Sequence, residues 1–304
     1  MRAVITGPTG AIGIALIQKC LEQKTEVVAI CRRYSDRIHR IPKDPMVHIV
    51  ECDLSELDQL TTEEIGSCDV FFHLGWDATF GSGRNDMPTQ IRNVQYTIDA
   101  VELAHRLSCS VFVGAGSQAE YGRYEGKLSA LTPVFPENGY GMAKLCAGQM
   151  SRIQCETYGM IHIWTRILSI YGPCDGERTM ILSAIRKLLD GQVPAFTAGE
   201  QQWDYLYSKD AAEALYLLSE KGKSGKVYCI GSGSVRPLRE YIEILRDAID
   251  PQAELKIGKI PYPEKQVMYL CADISELQAD TGFVPHTPFE AGIRETISWA
   301  RNEA

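Results

Sequence analysis

Through the first half of the chain, short apolar runs alternate with longer stretches in which apolar residues recur every three or four positions. Runs at residues 3–6, 26–30, 47–50, 70–74, 110–113 and 161–167 read as buried strands, and the stretches from about Ala11, at 93–107 and at 140–158 read as helices. Strand and helix in steady alternation predict a parallel sheet wrapped by helices on both faces. After Tyr171-Gly172-Pro173 the rhythm changes to a helical stretch at 180–189, turn-rich loops, one return strand at 226–230, and helices at 238–249 and 289–300. The pattern predicts an α/β chain whose residues 1–170 form a doubly wound parallel sheet, joined by a return segment at about 205–232. Residues 171–304 then supply mainly a smaller, interleaved C-terminal lobe.

Composition narrows the function. A chain of 304 residues can bury a generous core. Its 39 acidic and 31 basic side chains give a net charge of -8, which argues against nucleic acid as a partner. The first apolar run stops at Gly7 without the h-region of a signal peptide, and no run reaches bilayer-spanning length. A cytoplasmic protein with no membrane partner is the expectation. Ten cysteines are scattered through apolar segments without metal-ligand spacing, so they read as reduced, buried small hydrophobes, and no metal is expected.

Between the first strand and the first helix lies Thr6-Gly7-Pro8-Thr9-Gly10-Ala11-Ile12-Gly13. Glycines there permit a tight turn and let the amides of residues 7–13 approach a pyrophosphate at a helix N-terminus. A dinucleotide cofactor follows, with Gly7, Thr9, Gly10, Ala11, Ile12 and Gly13 as its cradle. A site preferring NAD(H) would carry an acid at the end of the second strand to meet the ribose hydroxyls. This chain carries Cys31-Arg32-Arg33 instead, and two guanidiniums suit a ribose phosphate, so NADP(H) is favoured over NAD(H).

Tyr140 and Lys144 stand four apart on a predicted helix, a spacing that stacks phenol and ammonium on one face. The ammonium is expected to lower the phenol's pKa toward general acid/base use and to reach the cofactor ribose.

The T-G-x-x-G-x-x-G turn, the segment Gly116-Ser117-Gln118-Ala119-Glu120-Tyr121-Gly122 and Y-x-x-x-K occur in the order and context of the extended short-chain dehydrogenase/reductase family, which the chain resembles along nearly its whole length. The resemblance continues through Arg166 to Pro173, Trp203 to Asp210, and Gly282 to Pro285. It implies a Rossmann-type fold and a catalytic trio of Ser117, Tyr140 and Lys144. It further implies contacts to the adenosine from Asp53 and Leu54 after the third strand and from Leu74 and Gly75 after the fourth, and an Asn93 that braces the active-site backbone. The same resemblance implies a homodimer formed through the helices at 93–107 and 140–158.

The family group in question acts on nucleotide-activated sugars as 4-epimerases, 4,6-dehydratases and 4-keto reductases. Dehydratases carry adjacent Asp-Glu after the catalytic hydroxyl, where this chain has Gln118-Ala119, so dehydration is disfavoured. Glu120 follows, close enough to protonate a substrate group unless strand alternation turns it away from the sugar. Substrate contacts are expected from Thr79, Gln118, Glu120 and Trp203, with Arg84 and Asn85 on the loop beside Thr79. Trp203 occupies the position of a family arginine that grips the diphosphate. The reading is hydride transfer at a sugar carbon, C4, by a 4-keto reductase or a 4-epimerase, with reductase favoured by the arginine pair. Two rivals stay open: a non-catalytic dinucleotide-binding sensor or scaffold, and a reductase of a small non-nucleotide carbonyl.

Overall fold

The computed structural model of the protein describes residues 1–303. Its strands are β1 (Arg2–Thr6), β2 (Glu26–Cys31), β3 (Val47–Glu51), β4 (Val70–His73), β5 (Val111–Ser117), β6 (Ile161–Ile167), β7 (Ser169–Tyr171), β8 (Gln202–Trp203), β9 (Tyr205–Tyr207), β10 (Lys226–Ile230), β11 (Arg236–Pro237) and β12 (Tyr269–Leu270). Its helices are α1 (Ala11–Glu22), α2 (Thr62–Ile65), α3 (Met87–Arg106), α4 (Gly139–Thr157), α5 (Met180–Leu189), α6 (Ser208–Lys221), α7 (Leu238–Ile249), α8 (Ser275–Thr281) and α9 (Phe289–Asn302).

Seven strands form one all-parallel sheet in the order β10-β6-β5-β4-β1-β2-β3. This is the doubly wound Rossmann-type sheet that the alternation predicts. The strand order reverses between β1 and β4, and at such a switch point the diverging connections leave a crevice at the carboxyl ends of the strands. Thr6 pairs with His73 at the ends of these two strands. Helices α1 and α6 cover one face, burying Ile14, Leu16, Ile17, Leu215 and Leu218. On the other face, α3 buries Ala100, Val101, Leu103 and Ala104 against Phe71 and Phe112. Each fully buried Phe contributes about 1.5–3 kcal/mol of transfer free energy.

Two boundaries differ from the sequence reading. Strand β5 runs on through Gly114-Ala115-Gly116 to Ser117, because the Trp164 ring of β6 lies against Gly114 and Gly116, and a Cβ at either would collide with it. Helix α3 begins six residues early, with Pro88 in its first turn, where a missing N–H costs nothing. Beyond β7 the C-terminal part packs α5, α7 and α9 around Ile185, Leu245, Phe289 and Ile293. Its small strands pair as β7 with β9, and β8 with β11 and β12. The return segment supplies α6 and β10, and β10 closes the sheet edge beside β6.

Among the described residues no helix is long and apolar enough to cross a membrane, and no group of His, Cys, Asp and Glu side chains is placed to hold a metal ion. All ten cysteines are unpaired, and only Cys146 is exposed.

Candidate active site

The crevice at the switch point has a volume of about 280 Å³ and is lined by Gly7, Pro8, Thr9, Arg32, Arg37, Asp53, Leu54, Ser55, Gly75 and Trp76, among others. Gly7 adopts φ +69°, and a Cβ there would come within 2.8 Å of the Gly75 amide, so β1 and β4 can close on each other only with glycine at this point. At Gly13 a Cβ would strike the Gly7 carbonyl, whereas at Gly10 nothing lies within 4 Å. Helix α1 has no side-chain cap and no acid in its first turn, which leaves its first amides free for an anion. The arrangement fits a dinucleotide pyrophosphate.

Not every expected contact faces this crevice. Gly7, Thr9, Arg32, Asp53, Leu54 and Gly75 line it. Ile12 and Leu74 pack on the core under α1, and Ala11 borders a separate groove beside α9. Arg33 does not line the crevice: its guanidinium turns to Glu56 at 3.1 Å, and Arg37 lines it beside Arg32. Arg37 was missed because it lies four residues beyond Arg33, past Tyr34, whose φ of +55° reverses the chain.

Ser117 closes β5, and Tyr140 and Lys144 lie in the first turns of α4, whose N-cap Asn138 accepts from the Gly141 amide at 2.9 Å. The Ser117 hydroxyl accepts from the Ala119 amide at 3.1 Å and lies near enough to the Tyr140 phenol to favour its ionised form. Trp76 stands edge-on to Tyr140 with ring centres 6.0 Å apart and donates to Gln90 Oε1 at 3.0 Å. Lys144 is buried, donates to the Ala115 carbonyl at 2.6 Å, and lies 3.7 Å from the centre of the Trp76 ring. Burial lowers its pKa to about 7, with Glu120 opposing. The expectation that Lys144 lowers the Tyr140 pKa is not met. Burial raises the phenol's pKa, and the groups that pull it down are the Ser117 hydroxyl and Arg84, while Glu120 adds to the rise. Lys144 Nζ is 5.9 Å from the Tyr140 ring centre and already committed elsewhere.

Around this trio, buried polar groups lock the backbone. Asn93 clamps Asp77 in both directions, accepting from its amide at 2.9 Å and donating to its carbonyl at 3.0 Å. This is the bracing expected of it. His73 sits between the hydroxyls of Thr6 at 3.0 Å and Thr97 at 3.3 Å, and burial lowers its pKa to about 3, so it is neutral.

A second cleft of about 390 Å³, whose wall includes the Arg84 that faces the Tyr140 ring, is lined also by Asn85, Gln118, Arg123, Glu137, Trp203 and Lys265, among others. Gln118 and Trp203 are thus on its wall as expected, with the Trp203 indole donating to Ser169 Oγ at 2.8 Å. Thr79 lines neither cleft. Glu120 is a second correction, since it has no exposed surface and cannot touch a substrate. Its oxygens accept from the Ser117 amide at 2.8 Å, Trp164 Nε1 at 3.0 Å and Arg166 Nε at 2.8 Å. The 3₁₀ turn at Gln118–Glu120 breaks the strand alternation and folds the carboxylate back under β5.

With this geometry in view, comparison with known proteins is informative. The family described as "NAD dependent epimerase/dehydratase family" matches residues 3–231. A dTDP-glucose 4,6-dehydratase from Streptomyces antibioticus is 25% identical over 322 residues, covering 99% of this chain and 93% of that one. Another, from Xanthomonas campestris pv. campestris, is 29% identical over 185 residues, and there the match spans 57% of this chain and about half, 52%, of the relative. The solved structure of a Thermus thermophilus UDP-glucose 4-epimerase complex with NAD superposes with a TM-score of 0.88 at 20% identity, covering 100% of each chain, a likeness of fold.

Two outcomes test the electrostatics. Replacing Glu120 with Ala strands the buried Arg166 guanidinium and is expected to cost about 3–5 kcal/mol of stability, read by urea unfolding. A cost within error would mean that the pair does not hold the strand end. For Lys144, the folded state lowers the pKa from 10.5 to about 7, so it binds fewer protons than the unfolded chain between those values. The resulting penalty is full below about pH 7 and is relieved as pH rises toward 10.5. The melting temperature of Lys144→Met relative to the parent should therefore be higher at pH 6 than at pH 9. A difference that does not fall with pH would show that the ammonium is not desolvated.

Proposed function

The chain belongs to the NAD-dependent epimerase/dehydratase family, and we propose that it moves a hydride at a sugar carbon, C4, of a nucleotide-activated sugar. The observation that carries this reading is the position of Tyr140. Its ring meets Trp76, on the wall of the dinucleotide crevice, and Arg84, on the wall of the second cleft. A group so placed can exchange a proton with a substrate in one cleft while a cofactor lies in the other.

The bound nicotinamide supplies a hydride acceptor or donor. The protein supplies the proton traffic. In the oxidising direction, the Tyr140 phenolate takes the proton of the sugar hydroxyl and becomes phenol as the C–H bond breaks and the carbonyl forms; reduction runs the same path backwards. Ser117 bonds to the phenol oxygen and to the reacting oxygen, aligning the two. Lys144 anchors the end of β5 through Ala115 and faces the crevice through Trp76.

Elimination of water, the activity for which the dehydratases similar to this chain are named, needs a further acid and base beside the sugar. Gln118 and Ala119 offer none, and Glu120 is sealed below them. These residues favour a 4-keto reductase or a 4-epimerase. Arg32 and Arg37 line the ribose end of the crevice, where β2 ends without a carboxylate, which supports NADP(H) and with it the reductase. Residues 1–170 with the return segment would carry the cofactor, and the C-terminal lobe mainly the sugar nucleotide. Ile91 on α3 and Met142, Met150 and Ile153 on α4 are exposed, and those on α4 share one helix face, as a homodimer through these helices would require.

The decisive assay mixes the protein with NADPH and UDP-, dTDP-, GDP- and CDP-linked 4-keto-6-deoxy sugars, following cofactor absorbance and product. Stoichiometric loss of NADPH with one of them is the expected result. Interconversion of intact nucleotide hexoses without net loss would make the protein an epimerase, and no thermal stabilisation by any nucleoside diphosphate would favour a small-carbonyl substrate. Tyr140→Phe should abolish turnover and leave cofactor affinity in place. Loss of both from a folded chain would assign Tyr140 to binding. Replacing Arg32 and Arg37 with Ala should weaken NADPH far more than NADH, and equal losses would remove the phosphate assignment.

A further inference from the structure

Ser117, Tyr140 and Lys144 line neither of the two clefts, and Lys144 is only 3% exposed. What stands between Lys144 and the dinucleotide crevice is the ring of Trp76. That ring is on the crevice wall, meets Tyr140 edge-on, and has the Lys144 ammonium 3.7 Å from its centre, where the π face attracts a cation. An ammonium covered in this way cannot reach a ribose in the crevice while the ring stays in place.

The backbone around Trp76 is pinned. On one side the Gly75 amide donates to Thr6 Oγ1 at 3.1 Å, and on the other Asn93 holds both the amide and the carbonyl of Asp77. The position of the ring is therefore a matter of its rotamer. One bond selects that rotamer, from the indole N–H to Gln90 Oε1 at 3.0 Å. Gln90 is itself buried, and its amide nitrogen donates to the carbonyls of Ala78 at 3.1 Å and Gly83 at 2.9 Å, which turns its oxygen toward the indole. A rotation that breaks one hydrogen bond and one cation–π contact is within what a bound ligand can offset.

We propose that Trp76 is a gating residue for the cofactor: latched by Gln90, its ring closes the inner end of the dinucleotide crevice, and the nicotinamide half reaches Tyr140 and Lys144 only when the ring turns away. The adenosine half and the pyrophosphate, at Gly7, Thr9, Arg32 and Asp53, need no such movement. Withdrawal of the ring also uncovers the ammonium, so the step that admits the nicotinamide makes Lys144 available to the ribose and to the phenol. The gate rests on the reading of the crevice as a cofactor site, and is independent of which sugar the protein takes. The rival role for Trp76 is a fixed wall against which the nicotinamide packs, with the indole still on Gln90.

The test measures Kd by calorimetry for NADP+ and for adenosine 2′,5′-bisphosphate, which lacks the nicotinamide half, in the parent and in Trp76→Ala, with NAD+ and ADP as a parallel pair. An apparent Kd rises as the population of the competent state falls. Removing the ring should therefore tighten the dinucleotide by about fivefold or more and leave the fragment within about twofold. An equal change in both, or weaker dinucleotide binding, would overturn the proposal. The parent offers a second readout, the exchange of the Trp76 indole N–H with water, followed by NMR and assigned by its absence from Trp76→Phe. Exchange should speed up with NADP+ bound and stay unchanged with the bisphosphate. An indole that keeps its protection in the NADP+ complex is still on Gln90, which overturns the gate in favour of the fixed wall. If neither dinucleotide nor fragment binds the parent, the reading of the crevice falls and the gate with it; if the dinucleotide binds and the ring does not respond, only the gate falls.

Discussion

The carboxylate of Glu120, with no exposed surface and three hydrogen-bond donors around it, is the interaction on which the geometry of the site depends. A buried charge survives only where its desolvation is offset by a full set of partners. Here the partners are spread over two strands: the Ser117 amide at the end of β5, and Trp164 and Arg166 of β6. Their demand for convergence fixes where β5 stops and how Ser117 is presented. It also fixes the Trp164 ring, which lies flat against Gly114, Gly116 and, on α4, Gly148. Those glycines let α4 approach the sheet, and that approach sets the distance from Ser117 to Tyr140. One salt bridge thus ties the placement of Ser117 to that of Tyr140.

The strands and helices of the sheet were legible because period and burial agree there: β6, α5, β10 and α7 run as the hydrophobic pattern implies, and the glycine turn marks the crevice. What was hidden involved side chains whose partners are remote in sequence. Arg32 and Arg33 are equivalent as text, but Glu56 captures one and leaves the other, and only folding brings Arg37 to the vacant side. Glu120, three residues after Ser117, read as a substrate contact, and Arg166, its partner in β6, carries no mark in the sequence that says otherwise. The segment Gly114-Ala115-Gly116 looked like a loop because small residues carry no apolar signal, although the Trp164 ring packs directly against both glycines. Trp76 was visible only as one letter after the glycine of the fourth strand, yet it contacts both Lys144 and Tyr140.

Burial drives the titratable groups of the site toward neutrality. His73 and Lys144 are pushed down and Tyr140 up, each with desolvation as the leading cause. The site is therefore poor in fixed charge near the reacting atoms, which makes any remaining charge act over a longer range than it would in water.

The charge distribution then sets the two clefts apart. The chain carries a net charge of -8; Arg32 and Arg37 border the first cleft together with Asp53 and Asp77, whereas Arg84 and Lys265 border the second, with Arg123 there already neutralised by Glu137 at 2.8 Å. A positive wall in an acidic protein focuses attraction for anions on that wall and leaves the remaining surface repulsive to them. Trp203 adds shape in place of charge: tied by its indole N–H to Ser169, it is a fixed aromatic wall. An anionic substrate entering the second cleft must therefore find its cations on loops, at Arg84 and Lys265, and its apolar contact on β8. A binding mode divided in this way would draw substrate contacts from the same loop that faces Tyr140.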